Sequence, residues 1–542
     1  MPFKISREIV LKSKSESFEW VRELYSKHSN RDGDVNLDLS VLGEDDLMEL
    51  KELCQSQGDN RSVREINAVL KMRDGDLDAV VPSFGAFEEM LRVYLSTAPI
   101  RHWIYKEESD GKLYPYLIVD LGTTFSRTDD RPSVHISLAS YTADSQDEAM
   151  RRQQTSVHFS PGDVANRRLS NILQSAGLYK ESQELHDEYD AVMLRYREEI
   201  APKFAEQFRV TGNVFRHAGG WYSRGRETEL HRRKVIHDLS PKDFRPHNDK
   251  GIACYGGKEG KHNPVDAVVP DHPLVKVFDL NSHDFFWIHS DFMEPYVYDK
   301  TLGDKLILPD SHHDLLEVLT NDLDDFTSDF IEGKSAGNVI LCKGLPGVGK
   351  TLTAEIYSEL IGRPLYSIHS GTLGTSASEI EKSLKKVFGR AKRWNCVLLL
   401  DEADVFVSVR GDDINKNAVV AEFLRTLEYF DGLMFMTTNR PDDIDEAIIS
   451  RCVAIIHYGP PSTADLARRS WEALEGQFGI TLDSDVRNGL VEMFPDIVQR
   501  DMKMLLKLVL KVNKRKDAKL DLETFRRYAM FRNIKIADKK AA

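Results

Sequence analysis

The sequence predicts an α/β fold, in which a parallel sheet carries a C-terminal helical lid and follows a large α+β N-terminal region. Three observations favour this class. From residue 338 onward, short apolar β-branched segments alternate with helical segments, as in a parallel sheet covered on both faces. Beyond Pro460 and Pro461 the strand-like segments stop and amphipathic helical segments follow. Residues 1–298 mix helical and strand-like segments.

The elements of the C-terminal half follow from these periodicities. A helix over 311–331 leads into a strand at 338–343. Further strands are expected at 364–370, 396–400, 433–437 and 453–457, with helices between them at about 377–394, 416–429 and 443–449. The lid helices are expected near 463–478, 483–493 and 500–512.

The octet Gly344 to Thr351 reads Gly-Leu-Pro-Gly-Val-Gly-Lys-Thr and fits the phosphate-binding pattern G-x-x-x-x-G-K-[ST] at every fixed position. It lies between a predicted strand and a predicted helix, where backbone N–H groups at the helix start converge on anionic oxygens. Lys350 would reach the β- and γ-phosphates, and the Thr351 hydroxyl would ligate Mg²⁺. The alternative is a chance Gly-rich turn. We therefore predict a P-loop NTPase sheet that binds a nucleoside triphosphate through Gly344, Pro346, Gly347, Val348, Gly349, Lys350, Thr351 and Leu352.

About fifty residues further on, the apolar run 397–400 ends in two carboxylates, Asp401 and Glu402. In an open α/β sheet, ligands bind at the carboxyl ends of the strands, so Asp401 is expected beside the loop. Together with Thr351, Asp401 would hold Mg²⁺, and Glu402 would polarise the attacking water as general base.

The next predicted strand ends in Asn439, whose amide could orient the water and sense the γ-phosphate. The alternative is that Asn439 caps the turn into Pro441. A short helix then ends in Arg451, and an arginine supplied to a neighbouring subunit's γ-phosphate is worth about 10³- to 10⁵-fold in rate. The alternative is that Arg451 only complements the helix dipole.

The octet, the Asp401-Glu402 pair, the run Thr437-Thr438-Asn439 and the run Ser450-Arg451-Cys452 occur in order before an all-helical segment. This arrangement resembles the AAA+ ATPases over roughly residues 300–535. The resemblance implies that Asn439 is sensor 1, that Arg451 acts in trans and that the active form is a homo-oligomeric ring, often hexameric. The segments 296–299, 306–309 and 424–430 are similar to a poorly characterised AAA+ group of fungi and bacteria, whose members carry a large N-terminal domain of unknown role.

Two departures from that family pattern bear on function. The segment 370–375 offers only Leu373-Gly374 where protein-threading rings carry an aromatic pore loop, so a grip on a threaded polypeptide is not expected. The lid has Gln499-Arg500 where the family places a Gly-Arg pair. Arg500 is a candidate contact to the γ-phosphate in cis, and the alternative is a solvated arginine at a helix start.

The N-terminal half shows no catalytic constellation. Residues 1–95 are acidic and mostly helical, and strands are expected at 114–120, 133–139 and within 275–298. Between them lie a charged helical stretch at roughly 179–208 and an irregular Gly- and His-rich region at 211–265. We predict four units: a helical region 1–95, an α+β recognition domain 96–298, an ATPase core 299–460, and a lid with a basic tail 461–542.

The composition describes an ordinary globular protein of 542 residues with 41% hydrophobic content. The net charge of −14 disfavours nucleic acid and anionic membranes as general partners. Five scattered cysteines, the absence of a signal-peptide pattern at the start and the absence of an 18-residue apolar run lead us to expect a cytoplasmic protein.

Two weaker signals remain. Cys254, His247 and His262 could hold a metal ion, although one cysteine without a paired spacing is weak evidence. The basic residues from Arg224 to Lys234, beside Trp221 and Tyr222, could form a nucleic-acid strip, a solvated loop or a subunit contact.

Three hypotheses on function follow. The first is an ATP-hydrolysing ring that remodels a protein client bound by the N-terminal half. The second is an ATP-gated nucleic-acid assembly factor with clamp-loader-like logic. The third, a monomeric P-loop kinase or GTPase, lacks the Asn-Lys-x-Asp motif and has no use for Asn439 or Arg451.

Overall fold

The structure is a computed structural model that describes residues 3–26, 34–125, 132–144, 149–164, 166–218, 229–240, 268–321, 337–374, 376–516 and 520–537. None of the helices in these ranges has the length and apolar character that a bilayer crossing requires. The predicted metal candidates Cys254, His247 and His262 lie outside the described residues.

The described part of the first hundred residues is mainly helical, as predicted, with three short strands. Leu47 and Leu50 are buried on one face of the third helix. The elements are β1 (Phe3–Ser6), α1 (Arg7–Lys12), α2 (Glu19–Ser26), β2 (Asp34–Leu37), α3 (Glu44–Ser56), α4 (Asn60–Arg73), β3 (Val80–Val81) and α5 (Phe84–Ser96). These helices share one hydrophobic cluster with the sheets that follow.

Two antiparallel sheets make up the rest of the N-terminal half. The first has the strand order β7-β6-β5-β4-β9 and the second the order β11-β14-β13-β12-β10-β15. The elements of this region are β4 (Trp103–Glu107), β5 (Leu113–Phe125), β6 (Pro132–Ala143), β7 (Met150–Phe159), α6 (Pro161–Val164), β8 (Arg167–Arg168), α7 (Leu169–Ser175), β9 (Leu178–Lys180), α8 (Gln183–Arg195), β10 (Gln207–Asn213), β11 (Arg216–Ala218), β12 (Glu229–His237), β13 (Leu274–Asp279), β14 (Phe285–His289) and β15 (Met293–Pro295). The short strand β8 pairs with β3 and belongs to neither sheet.

Two expectations for this half were wrong. The charged helical stretch 179–208 is shorter than predicted, because α8 ends in the π-helical turn Tyr196–Ile200 and residue 207 already begins a strand. The predicted irregular region 211–265 contains β12, a strand paired on both sides. The alternation of apolar and polar residues that would indicate a strand is interrupted in β12 by the charged residues Arg233 and Lys234. Each of these two residues has an acidic partner in the folded chain.

The C-terminal half contains the predicted five-stranded sheet, with the order β17-β18-β19-β16-β20 and every pair parallel. Its elements are α9 (Asp310–Asn321), β16 (Asn338–Gly344), α10 (Lys350–Ile361), β17 (Leu365–His369), α11 (Ala377–Arg393), β18 (Val397–Asp401), α12 (Asp404–Val407), α13 (Ile414–Leu427), β19 (Leu433–Thr438), α14 (Glu446–Ile449) and β20 (Ala454–Tyr458). Hydrophobic clusters cover both faces of this sheet, which explains the unbroken apolar strands.

Two helices of this half differ from their predicted bounds. The helix predicted at 311–331 is observed over Asp310–Asn321, and residues 322–331 lie outside the described residues. The helix predicted at 443–449 is only the short α14, because the Asp445 side chain accepts a hydrogen bond from the Ala447 N–H and begins the helix there.

The predicted helical lid follows the sheet and has a hydrophobic cluster of its own. It consists of α15 (Ala464–Phe478), α16 (Ser484–Met493), α17 (Gln499–Lys516) and α18 (Leu522–Ala529). The fold class is therefore confirmed: a P-loop-type parallel sheet with a helical lid, preceded by a large α+β region. The division of the chain at residues 95, 298 and 460 stays a prediction.

Candidate functional site

The octet lies between the end of β16 and the start of α10, and its glycines adopt backbone angles that other residues avoid. Gly344, Gly347 and Gly349 have φ values of +150°, +88° and +99°. A Cβ at Gly344 would lie 2.1 Å from the Tyr458 carbonyl oxygen, because β20 passes directly beside the loop. Glycine at these positions therefore lets the backbone curl closely around a phosphate-sized anion.

The side chains within and beside this loop divide into two groups. Leu345, Pro346 and Leu352 are exposed, whereas Val348 is buried in the hydrophobic cluster beneath the sheet. Only the backbone of Val348 is therefore available to a nucleotide, which refines its predicted role.

The Lys350 ammonium group points into the loop. Its Nζ donates to the carbonyl oxygens of Gly344 and Leu345, at 2.8 Å each, and to Asn439 Oδ1 at 2.9 Å. Burial lowers the pKa of Lys350, and the nearby Asp401 carboxylate opposes that shift. Lys350 and Asn439 are 89 positions apart, and the parallel pairing of β16 with β19 brings them together.

Thr351 and Asp401 also meet, since the Thr351 hydroxyl donates to Asp401 Oδ1 at 3.0 Å. The Thr437 hydroxyl donates to the same oxygen at 2.6 Å. His369 Nδ1 lies 4.0 Å from the other carboxylate oxygen. Hydroxyl and carboxylate oxygens are the hard ligands that Mg²⁺ prefers, so the donor set around Asp401 fits that ion.

Glu402 follows Asp401 in a left-handed backbone conformation, with φ +53°. Such a conformation costs a non-glycine residue about 1–2 kcal/mol. The Glu402 N–H donates to the Thr437 hydroxyl at 3.0 Å, and this bond helps to hold the turn. The Glu402 carboxylate is exposed and makes no hydrogen bond or ion pair with the described residues.

Asn439 does not cap the turn into Pro441 with its side chain, because its Oδ1 accepts from Lys350. That turn is held by other groups. The Thr438 hydroxyl and the Asn439 N–H both donate to Asp404 Oδ1, at 2.6 and 2.9 Å, and the Arg440 N–H donates to the Thr438 hydroxyl. Asp404 therefore fixes the backbone from which the Asn439 amide reaches Lys350.

Arg500 reaches the loop from the lid. Its N–H donates to the Gly347 carbonyl oxygen at 3.1 Å. A Cβ at Gly347 would lie 2.8 Å from the Arg500 Cβ, so the start of α17 packs directly on the phosphate-binding loop. Arg500 also contributes to the lowered pKa of Lys350.

Arg451 is the predicted residue that the fold does not join to the others. Its Nη2 donates to Glu428 Oε1 at 2.9 Å and its Nη1 to the Ala447 carbonyl oxygen at 3.0 Å. No hydrogen bond or ion pair within the described ranges links Arg451 to the loop residues.

Sequence reasoning missed Thr437 and Asp404, which hold Asp401, the Glu402 backbone and the Asn439 turn. A signal for both exists in the sequence. Thr437 lies two positions before Asn439, and Asp404 lies three positions after Asp401, so each is adjacent to a motif that was recognised.

The weaker candidates gain no support. Leu373, the expected pore residue, is 2% exposed and packs within the hydrophobic cluster, and residue 375 lies outside the described residues. Of the basic strip, 219–228 lie outside the described residues, while Arg233 and Lys234 are paired with Asp279 and Glu359. The described ranges hold no group of three or more His, Cys, Asp or Glu side chains that could hold a metal ion.

Residues 340–460 match the family model described as ATPase family associated with various cellular activities (AAA). The matched segment begins within β16 and ends just after β20, so it includes the loop, Asp401, Glu402, Asn439 and Arg451. This part of the chain belongs to the AAA ATPase family. The resemblance drawn from the sequence motifs is confirmed at that level.

Several curated relatives match part of the chain. The ATPase family gene 2 protein of Schizosaccharomyces pombe is 30% identical over 131 residues, which is 23% of this chain and 16% of that protein. The uncharacterized AAA family ATPase y4kL of Sinorhizobium fredii is 30% identical over 141 residues, 25% of this chain and 42% of that protein. The peroxisomal ATPase PEX6 of Saccharomyces cerevisiae is 30% identical over 177 residues, 30% of this chain and 17% of that protein.

The match to this chain therefore spans less than half the length of each of these relatives. Among solved structures, the AAA domain of FIGL-1 in complex with ADP is similar with a TM-score of 0.35 and 20% sequence identity, over 44% of this chain and 86% of that one.

Proposed function

We propose that this protein hydrolyses ATP at the AAA domain and uses the energy to remodel a protein or protein complex. The observation that supports this most strongly is the pair of bonds that connects four motif residues, Thr351 to Asp401 and Lys350 to Asn439. These residues come from two strand ends, those of β18 and β19, and from the start of α10, and they meet at the carboxyl end of the sheet.

The proposed roles follow from the positions of these groups. Lys350 and the loop N–H groups bind the phosphates, with Arg500 contributing from the lid. Thr351 and Asp401 are the groups that would hold Mg²⁺, which neutralises phosphate charge. Glu402 accepts the proton of the attacking water and Asn439 orients that water, so that attack at the γ-phosphorus releases inorganic phosphate and ADP.

Arg451 is proposed to act on a neighbouring subunit, since no hydrogen bond or ion pair among the described residues joins it to the loop of its own chain. An arginine that acts on a neighbouring subunit requires a homo-oligomer, and a hexameric ring is the arrangement we propose. The N-terminal half is proposed to bind the client protein, and the protein is proposed to work in the cytoplasm.

Threading of the client through the ring is not part of the proposal, because the nearest equivalent of a pore residue, Leu373, is buried. Nor do we propose a nucleic-acid partner. Two residues of the basic strip, Arg233 and Lys234, are engaged in ion pairs within the chain, and the net charge is −14.

The test is the variant Glu402→Gln, which keeps the shape of the side chain but removes the base. ATP binding should stay within about threefold of the parent, and turnover should fall by about 10²- to 10⁴-fold, the contribution typical of a general base. Glu492→Gln, at an exposed site in the lid, serves as the control and should change neither quantity. Near-parental turnover by Glu402→Gln would remove Glu402 as the base.

The oligomer and the client are tested with the same variant. Light scattering of Glu402→Gln with ATP should show a species about six times the mass of the chain, and a persistent monomer contradicts the ring. The client is sought by a pull-down with Glu402→Gln in the presence of ATP, and the comparison is the same pull-down with Lys350→Ala, which lacks the phosphate-binding lysine. The client should be enriched only with Glu402→Gln.

A further inference from the structure

The guanidinium group of Arg451 is held at the surface from two sides. Nη2 donates to Glu428 Oε1 at 2.9 Å, and Nη1 donates to the Ala447 carbonyl oxygen at 3.0 Å, one turn back on α14. The Arg451 side chain is 30% exposed and that of Glu428 is 36% exposed. Both the charge and part of the donor set of Arg451 therefore remain accessible from outside the chain.

Glu428 occupies a rigid position. It follows the last residue of α13, and its N–H donates to the Leu424 carbonyl oxygen at 3.4 Å. Leu424 and Leu427 are buried in the hydrophobic cluster, which fixes the end of that helix against the sheet. The ion pair thus joins the end of α13, which precedes β19 in the chain, to the end of α14, which follows it. Glu428 and Arg451 are 23 positions apart.

A guanidinium group carries five N–H donors, and these two bonds use only two of them. Nε of Arg451 is buried and has no hydrogen-bond partner within the described residues. The end of the guanidinium group nearest the backbone is therefore packed against the chain. The donors left on Nη1 and Nη2 are those that could reach an anion outside the subunit.

We propose that Glu428 is a positioning residue that holds Arg451 in the orientation from which it reaches a phosphate bound by a second copy of this chain. This inference rests on the proposed action of Arg451 in trans. An exposed ion pair is weak, so a phosphate can compete for the guanidinium group. Without Glu428, the long side chain of Arg451 samples many rotamers, and fewer encounters are productive.

The experiment compares Glu428→Ala with Glu428→Gln in the full chain. Glu428→Ala should lower kcat for ATP about 10-fold and leave KM within about twofold, because ATP binds elsewhere. Glu428→Gln keeps an acceptor oxygen and should recover at least half of the parental kcat. Glu422→Ala breaks an exposed pair with Arg425 on the same helix and serves as the matched control, with parental kcat and KM expected.

A mixing experiment separates positioning from general damage. Glu428→Ala subunits retain an intact loop, and Lys350→Ala subunits retain the Glu428–Arg451 pair. A mixture should therefore be several-fold more active than the average of the two proteins, since each supplies what the other lacks. Parental or raised kcat in Glu428→Ala, equal loss in both Glu428 variants, or no gain on mixing overturns the inference.

Failure of this inference is distinct from failure of the proposed function. If Arg451→Ala itself retains parental turnover, the action of Arg451 in trans is wrong. If Arg451→Ala is inactive and is rescued by Lys350→Ala while Glu428→Ala has parental kcat, only the positioning role of Glu428 is wrong.

Discussion

The indole N–H of Trp394 donates to Asp238 Oδ1 at 2.7 Å and joins the AAA domain to the N-terminal half. Arg393 Nε lies 2.9 Å from the same oxygen. Beside this bond, the Phe278 ring lies 4.6 Å from the Trp394 ring, and the Arg390 guanidinium group lies 4.8 Å from the Phe278 ring. The two halves thus share a buried interface, and the N-terminal half packs on the AAA domain.

Removing the hydrogen bond from Trp394 to Asp238 should lower the stability of the protein. Trp394→Phe removes the N–H from a buried carboxylate and should cost about 1–3 kcal/mol beyond the loss of ring area. Trp471→Phe is the control, because Trp471 is fully buried and its indole N–H has no partner within the described residues. Urea unfolding should place the midpoint of Trp394→Phe below that of Trp471→Phe, and equal midpoints contradict the assigned bond.

Glu359 forms a second link between the halves, at the far end of the helix that begins with Lys350. Its carboxylate accepts from Lys234 Nζ at 2.9 Å, from the Tyr296 hydroxyl at 2.7 Å and from the Asp299 N–H at 3.1 Å. Although burial opposes it, these bonds lower the pKa of Glu359.

Glu359→Ala should therefore destabilise the protein by about 1–3 kcal/mol, because it leaves these donors without their acceptor. ATP affinity should change by less than about threefold, since nine residues of helix, about 14 Å, separate Glu359 from Lys350. Lys385→Met, which breaks the exposed pair with Glu381, is the control and should cost under about 0.5 kcal/mol. Unfolding by urea and ATP titration measure the two quantities.

Asp404 should control turnover through the backbone of Asn439. Asp404→Ala removes the acceptor for the Asn439 N–H and the Thr438 hydroxyl, so the Asn439 amide loses its fixed position. A displacement of about 1 Å costs on the order of 100-fold, and we expect kcat to fall by about 10- to 100-fold with little change in ATP affinity. Asp404→Asn keeps one acceptor oxygen and should recover part of the rate. Equal loss of ATP binding in both variants would point to collapse of the loop instead.

Three buried histidines predict a loss of stability in acid. Burial lowers the pKa of His237 and His289 to about 4 and of His272 to about 3, from 6.5 in the unfolded chain. Since the unfolded state binds protons first, stability is unaffected above pH 6.5 and falls as the pH drops from 6.5 towards 4, by up to about 1.4 kcal/mol per pH unit for each histidine.

The histidine effect is measured as the slope of unfolding free energy against pH. His237→Gln should reduce that slope between pH 6.5 and 4.5, whatever its effect at pH 7. His457→Gln, at an exposed site, is the control variant. An unaltered slope in His237→Gln means that His237 is not held neutral by the fold.

The sequence predicted those parts of the site that are encoded by short runs of consecutive residues. The octet and the carboxylates at the end of β18 each combine a recognisable run with a predictable strand end, and the parallel sheet then brings Lys350, Thr351 and Asp401 together. The bond from Thr437 to Asp401 depends on the register of β18 and β19, which no local pattern contains. In the N-terminal half, β12 was missed because its charged residues are satisfied by partners up to 125 positions away.

The packing of Arg500 on Gly347 predicts a difference in stability that can be measured without nucleotide. Alanine at Gly347 is strained twice, by a φ of +88° and by a Cβ that would lie 2.8 Å from the Arg500 Cβ. Alanine at Gly349 is strained only by its φ of +99°, because its Cβ would meet no atom of the described residues within 4 Å. Each substitution should lower the free energy of unfolding by about 1–2 kcal/mol through backbone strain. Gly347→Ala should lower it further, because the lid must shift to make room for the new Cβ. Thermal unfolding without ATP measures the difference. Adding Arg500→Gly to Gly347→Ala should relieve the extra loss, whereas Arg500→Ala, which keeps the Cβ, should not; equal rescue by both would show that the long side chain, and not the backbone approach of α17, makes the contact.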